Sequence, residues 1–117
     1  MNRQEVFDKV VNHLLTQNKK SVGDNRRCAY RGVDGLMCAV GCLITDKAYD
    51  SSIEGRCSDS SEVEYRLQES GYKVTNNDRE FLKSLQVIHD SHYCKDWEDK
   101  LREYAKEEFL NFNWKPS

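Results

Sequence analysis

No apolar run in this chain approaches the ~20 residues that cross a bilayer, so nothing in it is expected to span a membrane. The first residues, MNRQEVFDKVV, hold neither an apolar stretch nor a cleavage site, so no signal peptide is expected. A cytoplasmic, reducing setting follows, and with it five unpaired thiols. A basic excess is missing as well. The net charge of -2 argues against a general nucleic-acid coat, though a local basic patch remains open. Familiar catalytic signatures are also absent. There is no Gly-Lys-Ser/Thr and no Gly-x-Gly-x-x-Gly, hence no phosphate-cradling loop. There is no Gly-x-Ser-x-Gly and no comparable cysteine context.

What is present describes a small, wet domain. The 117 residues make one domain, able to bury roughly two thirds of its unfolded surface. An apolar share of 38% with 10% aromatics is too hydrophobic for disorder, while 32% charged residues keep the core small. Val6, Phe7, Val10, Val11, Leu14 and Leu15 form one helical stripe, capped by Asn2 with Glu5 and fading near Gln17–Asn18. The polar stretch NKKSVGDNRR reads as a loop. Cys28–Arg31 reads as a short strand and Gly32–Gly35 as a turn. Leu36–Ile44 is apolar on every side, which fits one buried helix entered from a short hairpin, with a central strand as the alternative. Residues 45–61 are turn-rich, anchored by Tyr49 and Ile53. Ser61 with Glu64 starts a short helix with Val63 and Leu67 inward, stopped by Gly71, and Tyr72–Val74 reads as a strand. Asn77 with Glu80 starts a third helix carrying Phe81, Leu82, Leu85, Ile88 and His92. The last helix, capped by Asp96, carries Trp97, Leu101, Tyr104, Ala105 and Glu108 or Phe109, with Glu98 and Arg102 as an i,i+4 pair. The expected fold is mainly α (α+β with a minor β-hairpin): four or five helices around the segment 36–44. Residues 1–110 form the domain and 111–117 a tail whose Trp114 either docks or waits for a partner.

The stretch CAYRGVDGLMCAVGCLI, Cys28 to Ile44, holds three of the five cysteines and frames the chemical question. A zinc centre would draw on Cys38, Cys42, His89, His92 and Cys94, because thiolate and imidazole suit tetrahedral zinc. The spacer Ala-Val-Gly inside an apolar run favours the other reading, in which Cys38 and Cys42 are small core residues. Cys28 behind Arg26 and Arg27, and Cys57 behind Arg56, have the cationic neighbours that activate a thiol. Asp90 beside His89 and His92 is the one carboxylate–imidazole cluster, with His92 expected partly buried and Asp90 solvated. The expectation is no catalytic residue, no metal and no cofactor.

The pattern Cys28-x-Tyr30-Arg31, then Gly35-Leu-Met-Cys38-Ala-Val-Gly41-Cys-Leu-Ile44, then Asp46, Tyr49 and Glu54-Gly55, resembles a group of small proteins encoded by tailed bacteriophages and prophages. So do the late residues Leu85-Gln-x-Ile88-His89-Asp90, Trp97, Leu101 and Ala105, and the likeness runs over roughly residues 5 to 106. Thr45 stands where the resembling proteins tend to have proline, which loosens that turn. The motif marks a family and carries no activity. The resemblance implies a non-enzymatic accessory protein in the host cytoplasm, binding and modulating or inhibiting a host or phage protein such as a defence or nucleic-acid-processing factor. Exposed arginine and aromatic residues favour contact energetics, which nominates Arg27, Tyr30, Arg31, Asp34 and Trp114 for the partner surface. Two alternatives stand beside this: a nucleic-acid-binding regulator using Arg26, Arg27 and Arg31, and a zinc- or cysteine-dependent enzyme.

Overall fold

A computed structural model describes residues 2–116; Met1 and Ser117, the outer ends of the expected domain and tail, lie outside the described residues. Asn2 opens the chain as a reciprocal cap. Its side chain accepts from the Glu5 N–H (2.8 Å), and its own N–H donates to the Glu5 carboxylate (3.1 Å). Helix α1 (Arg3–Gln17) follows, burying Val6, Phe7, Val10, Val11 and Leu14. It stops at Asn18, which takes the left-handed conformation (φ 50°) that asparagine tolerates.

Helix α2 (Ser61–Glu69) starts one residue earlier than expected, with the Ser60 hydroxyl accepting from the Val63 N–H (3.3 Å). Helix α3 (Asn76–Ser91) is capped by Thr75 and Asp78, not by Asn77 and Glu80. Its inner face is Phe81, Leu82, Leu85, Ile88 and His89. His92 has already left the helix at φ -124°, so the buried imidazole is His89. Tyr72–Val74 is extended but pairs with nothing, and no strand forms there. Helix α4 (Trp97–Glu107) follows a single 3-10 turn and buries Trp97, Leu101 and Ala105; Asp96 sits at its N-cap, but its side chain does not cap. The domain is mainly α, with four α-helices.

Of the segment Leu36–Ile44, Cys38–Ile44 is buried at the centre and Leu36 and Met37 are half-buried, but it is not a helix. Only Gly41–Leu43 makes a single 3-10 turn. Side chains from two helices take over two of its backbone donors. The Met37 N–H donates to the Gln17 side-chain oxygen and the Val40 N–H to that of Gln86, both at 3.0 Å. The donors that follow pair within the segment, Cys42 N–H with the Cys38 carbonyl (3.0 Å), Leu43 with Val40 (3.0 Å) and Ile44 with Gly41 (3.2 Å), so helical bonding is confined to one turn. The expected hairpin likewise reduces to two isolated antiparallel bridges, Val22 with Cys28 and Arg31 with Met37.

Trp97, Phe7, Leu14, Leu43, Ile53, Leu67, Leu85 and Leu101 are all fully buried, each contributing about 1.5–3 kcal/mol of transfer free energy. Tyr49 packs against this core at the edge of its loop. The tail runs along α1. Gln4 exchanges two hydrogen bonds with the Asn111 backbone (2.9 Å each), Asn113 donates to Asp8, and the Arg102 guanidinium covers the Phe112 ring at 4.2 Å. Trp114 is half-buried against the core. Among the described residues no helix is long and apolar enough to cross a membrane.

Candidate functional site

The motif residues converge on one carboxylate. Glu54 accepts from the backbone N–H of Tyr30 (2.9 Å), the backbone N–H of Arg31 (3.1 Å) and the Tyr49 hydroxyl (2.6 Å). Arg31 binds Asp46 and the Ile44 carbonyl, and its guanidinium lies 5.1 Å from the Tyr49 ring centre. The Tyr30 hydroxyl donates to the Arg56 carbonyl (2.7 Å). Burial first, then the Glu54 carboxylate, pushes the Tyr49 phenol up to about 12. Gly41 is required by contact: a Cβ there would stand 2.2 Å from the Tyr30 carbonyl oxygen. Tyr30, Arg31, Gly41, Asp46, Tyr49 and Glu54 thus form a latch that fastens the loop 45–56 to the central segment.

The thiols of Cys38 and Cys42 belong to the core. They are 1% and 9% exposed, and the Cys42 S–H donates to the Ala39 carbonyl at 3.0 Å. Burial pushes both thiols up, that of Cys42 to about 12.

A different cluster does assemble. Among the described residues, Cys28, His89 and Asp90 bring ligating atoms within 4.8 Å of one another, and Cys38, Cys42, His92 and Cys94 do not join them. The wiring of this cluster decides its chemistry. The Ser21 backbone N–H can only donate, and it points at His89 Nε2 (3.0 Å). His89 therefore carries its proton on Nδ1, which donates to Asp90 (2.7 Å). Coordination through Nδ1 would drive the proton onto Nε2, against the Ser21 donor, so the imidazole has no lone pair to offer a metal. For the same reason it offers no base to the Cys28 thiol. That thiol is raised by burial and by the neighbouring Asp90, the reverse of an activated nucleophile. Burial opposes the Asp90 carboxylate, yet hydrogen bonds from His89 and Gln86 outweigh it and hold its pKa below the usual range. Gln86 links onward to Val40, and the Trp97 ring stacks on His89 with centroids 5.3 Å apart. The cluster is a polar seam joining α3 to the loops. It edges an open cleft of about 310 Å³ lined by Cys28, Cys57, Ser58, Lys83, Gln86 and Asp90.

Of the five residues nominated for a partner, Tyr30 (6% exposed) and Arg31 are tied into the latch and Trp114 is docked, while Arg27 and Asp34 are exposed. These two stand on neighbouring turns. In the first, Gly23–Arg27, the Gly23 N–H donates to the Arg27 carbonyl (2.9 Å) and the Arg27 N–H to the Asn25 side chain (3.0 Å). In the second, the Leu36 N–H donates to the Val33 carbonyl (3.1 Å). The Val33 N–H reaches the Val22 carbonyl (2.8 Å), which staples one turn to the base of the other. Gly32 permits that approach, since a Cβ there would meet the Val22 carbonyl oxygen at 2.6 Å. Arg26 (φ 65°) and Asp34 (φ 57°) are held left-handed at the two tips. Asp24, Asn25 and Val33 share the exposed surface and were not nominated; the Gly-Asp-Asn and Gly-Val-Asp-Gly clusters were the available signal. Among the described residues none of the ion pairs uses Arg26, Arg27 or Asp34. No family model, no curated protein and no solved structure matches this chain.

Proposed function

We propose that this chain is a phage-type accessory protein that binds a host or phage protein in the host cytoplasm and modulates or inhibits it, using the paired turns 23–27 and 33–35. The phage part rests on the resemblance of the 28–55 motif. The contact surface rests on one observation: two non-glycine residues, Arg26 and Asp34, are kept left-handed on adjacent exposed tips. Such strain persists only where the surroundings over-determine it, and here the Glu54 latch and the Gly32 staple supply that rigidity. Rigid loops bind with less ordering cost. A nucleic-acid target fits less well, because Arg31 is engaged by Asp46 and two aspartates, Asp24 and Asp34, stand beside Arg26 and Arg27. The test is photo-crosslinking from position 34 during infection, with position 65 on α2 as control. One protein captured from 34, absent from 65 and lost in Arg26→Glu/Arg27→Glu, supports the reading. Equal capture from both positions, or salt-steep affinity for DNA or RNA that these reversals abolish, refutes it.

A further inference from the structure

The opposite end of the molecule carries a knob and a hollow side by side. Phe109 is 96% exposed and left-handed (φ 56°). It occupies the position just past α4 where helices usually place glycine: the Leu110 N–H returns to the Ala105 carbonyl (2.8 Å) and the Phe109 N–H faces the Lys106 carbonyl (3.4 Å). The left-handed conformation is disfavoured for a residue this bulky. Close by lies a shallow apolar hollow of about 50 Å³ walled by Val6, Leu43, Leu67, Val74, Phe81 and Leu82. Arg3 reaches both. Its guanidinium stands 3.9 Å from Asp78 on the hollow's lining and 3.8 Å from Glu108 next to Phe109, and it covers the Phe81 ring at 4.8 Å. The flanks differ in net charge: Lys106, Glu107 and Glu108 stand beside the knob, and Arg3, Lys73 and Asp78 line the hollow.

We infer that two copies of this chain associate about a two-fold axis, the Phe109 ring of each entering the hollow of the other. A two-fold interface needs one patch that complements itself, with knob and hole both present on it. This patch meets that requirement, and the Glu107 and Lys73 flanks would meet across the axis as opposite charges. The occupant is a second copy because the exposed ring and the hollow are joined through Arg3, which reaches Asp78 at one and Glu108 beside the other, and because the charges flanking the two complement each other. The hollow admits the edge of a ring and not its whole body, so the contact is small and the dimer weak, with a dissociation constant on the order of 100 µM. The patch lies at the N-terminal end of α1, whereas the paired turns sit near its C-terminal end, where Gln17 meets Met37. A 15-residue helix places them about 22 Å apart along its axis. Dimerisation therefore leaves both pairs of turns free and makes their display bivalent. The inference is independent of what the turns bind.

Sedimentation equilibrium of the full chain from about 10 µM to about 1 mM tests this. The expected result is a monomer–dimer equilibrium that Phe109→Ala weakens at least about tenfold, and that Val74→Lys weakens from the hollow side. In the wild type, the methyl NMR signals of Val74, Leu67 and Leu82 should shift with concentration, and in Phe109→Ala they should stay still. Phe109 makes so little contact that its variant keeps its fold. A wild type that stays monomeric at about 1 mM, a dimer indifferent to Phe109→Ala, or concentration-dependent shifts elsewhere with those methyls unmoved would each overturn the proposal.

Discussion

Replacing Phe109 by glycine should make the monomer more stable, which is the reverse of what losing an aromatic usually does. The left-handed conformation costs a residue with a Cβ about 1–2 kcal/mol, and glycine removes that cost. The ring is 96% exposed, so almost no burial is lost with it. Against the gain stands the greater freedom of glycine in the unfolded chain, about 0.5–1 kcal/mol. The net is about 0.5–1 kcal/mol in favour of Phe109→Gly. For a domain of 117 residues that is about 2–5 °C in Tm. Phe109→Ala separates the two contributions: it removes the ring but keeps a Cβ at φ 56°, and should lie within about 0.5 kcal/mol of wild type. Urea unfolding at low micromolar protein, where the chain is monomeric, is the assay. The other helix ends supply the internal comparison. α2 closes through the same pair of hydrogen bonds with Gly71 at φ 97°, and α1 stops at Asn18. A Phe109→Gly protein no more stable than wild type, or a Phe109→Ala protein that gains as much, would refute the reasoning.

Further outcomes follow from the same contacts. Gly41→Ala drives a Cβ to 2.2 Å from the Tyr30 carbonyl oxygen, in a backbone-to-backbone contact that cannot yield; a loss of about 3 kcal/mol or more in urea unfolding is expected. Glu54→Ala leaves two backbone donors and the Tyr49 hydroxyl unpartnered, a cost of about 3 kcal/mol, which Glu54→Gln recovers only in part. Thiol titration of the native protein should label Cys57 first and Cys28 and Cys94 more slowly, the Cys28 thiol being held up by burial and by Asp90, with Cys38 and Cys42 reacting only on unfolding. His13, whose ring lies 2.7 Å from the Met37 carbonyl oxygen, is held below its ordinary pKa chiefly by burial. The unfolded chain takes up that proton first, so stability falls as pH drops from about 6.5 toward the native pKa, by at most about 1.4 kcal/mol per pH unit. Urea midpoints across that window should flatten in His13→Gln.

Where local chemistry alone decides, the fold was legible. Asn2 and Glu5 form the cap that their spacing called for, and the stripe from Val6 to Leu14 faces inward as its period required. Where several frames were locally equivalent, the wrong one was read. Ser60 and Ser61 are both competent caps, as are Thr75 and Asn77, and tertiary packing selects between them. His89 and His92 both lie at helical spacing from Leu85, but α3 ends at Ser91, so only His89 points inward. Phe109 lies four residues past Ala105, yet α4 has closed by Glu107 and the ring turns outward. The central segment was legible as buried and illegible as conformation. Two of its backbone donors, those of Met37 and Val40, are taken by Gln17 and Gln86, 20 and 46 residues away, and nothing local announces such partners.

The latch also gives the motif residues a structural role. Tyrosine, arginine, aspartate and glutamate are residues that elsewhere bind or catalyse, and here Arg31, Asp46, Tyr49 and Glu54 are consumed by one another. A loop-rich middle with little regular structure needs such cross-links, because its buried backbone donors cannot pair along a helix or a ladder. Residues that hold a backbone in this way tolerate few substitutes, since each replacement leaves a buried donor or a cavity behind. The turns that the latch presents, 23–27 and 33–35, are constrained in shape and not in side chain. Arg26, Arg27 and Asp34 make no ion pair among the described residues, so a change of charge at any of them leaves the ion pairs of the frame intact. One frame of this kind can carry different residues at its exposed turns without refolding, because the hydrogen bonds that hold it lie in the latch and not at the tips.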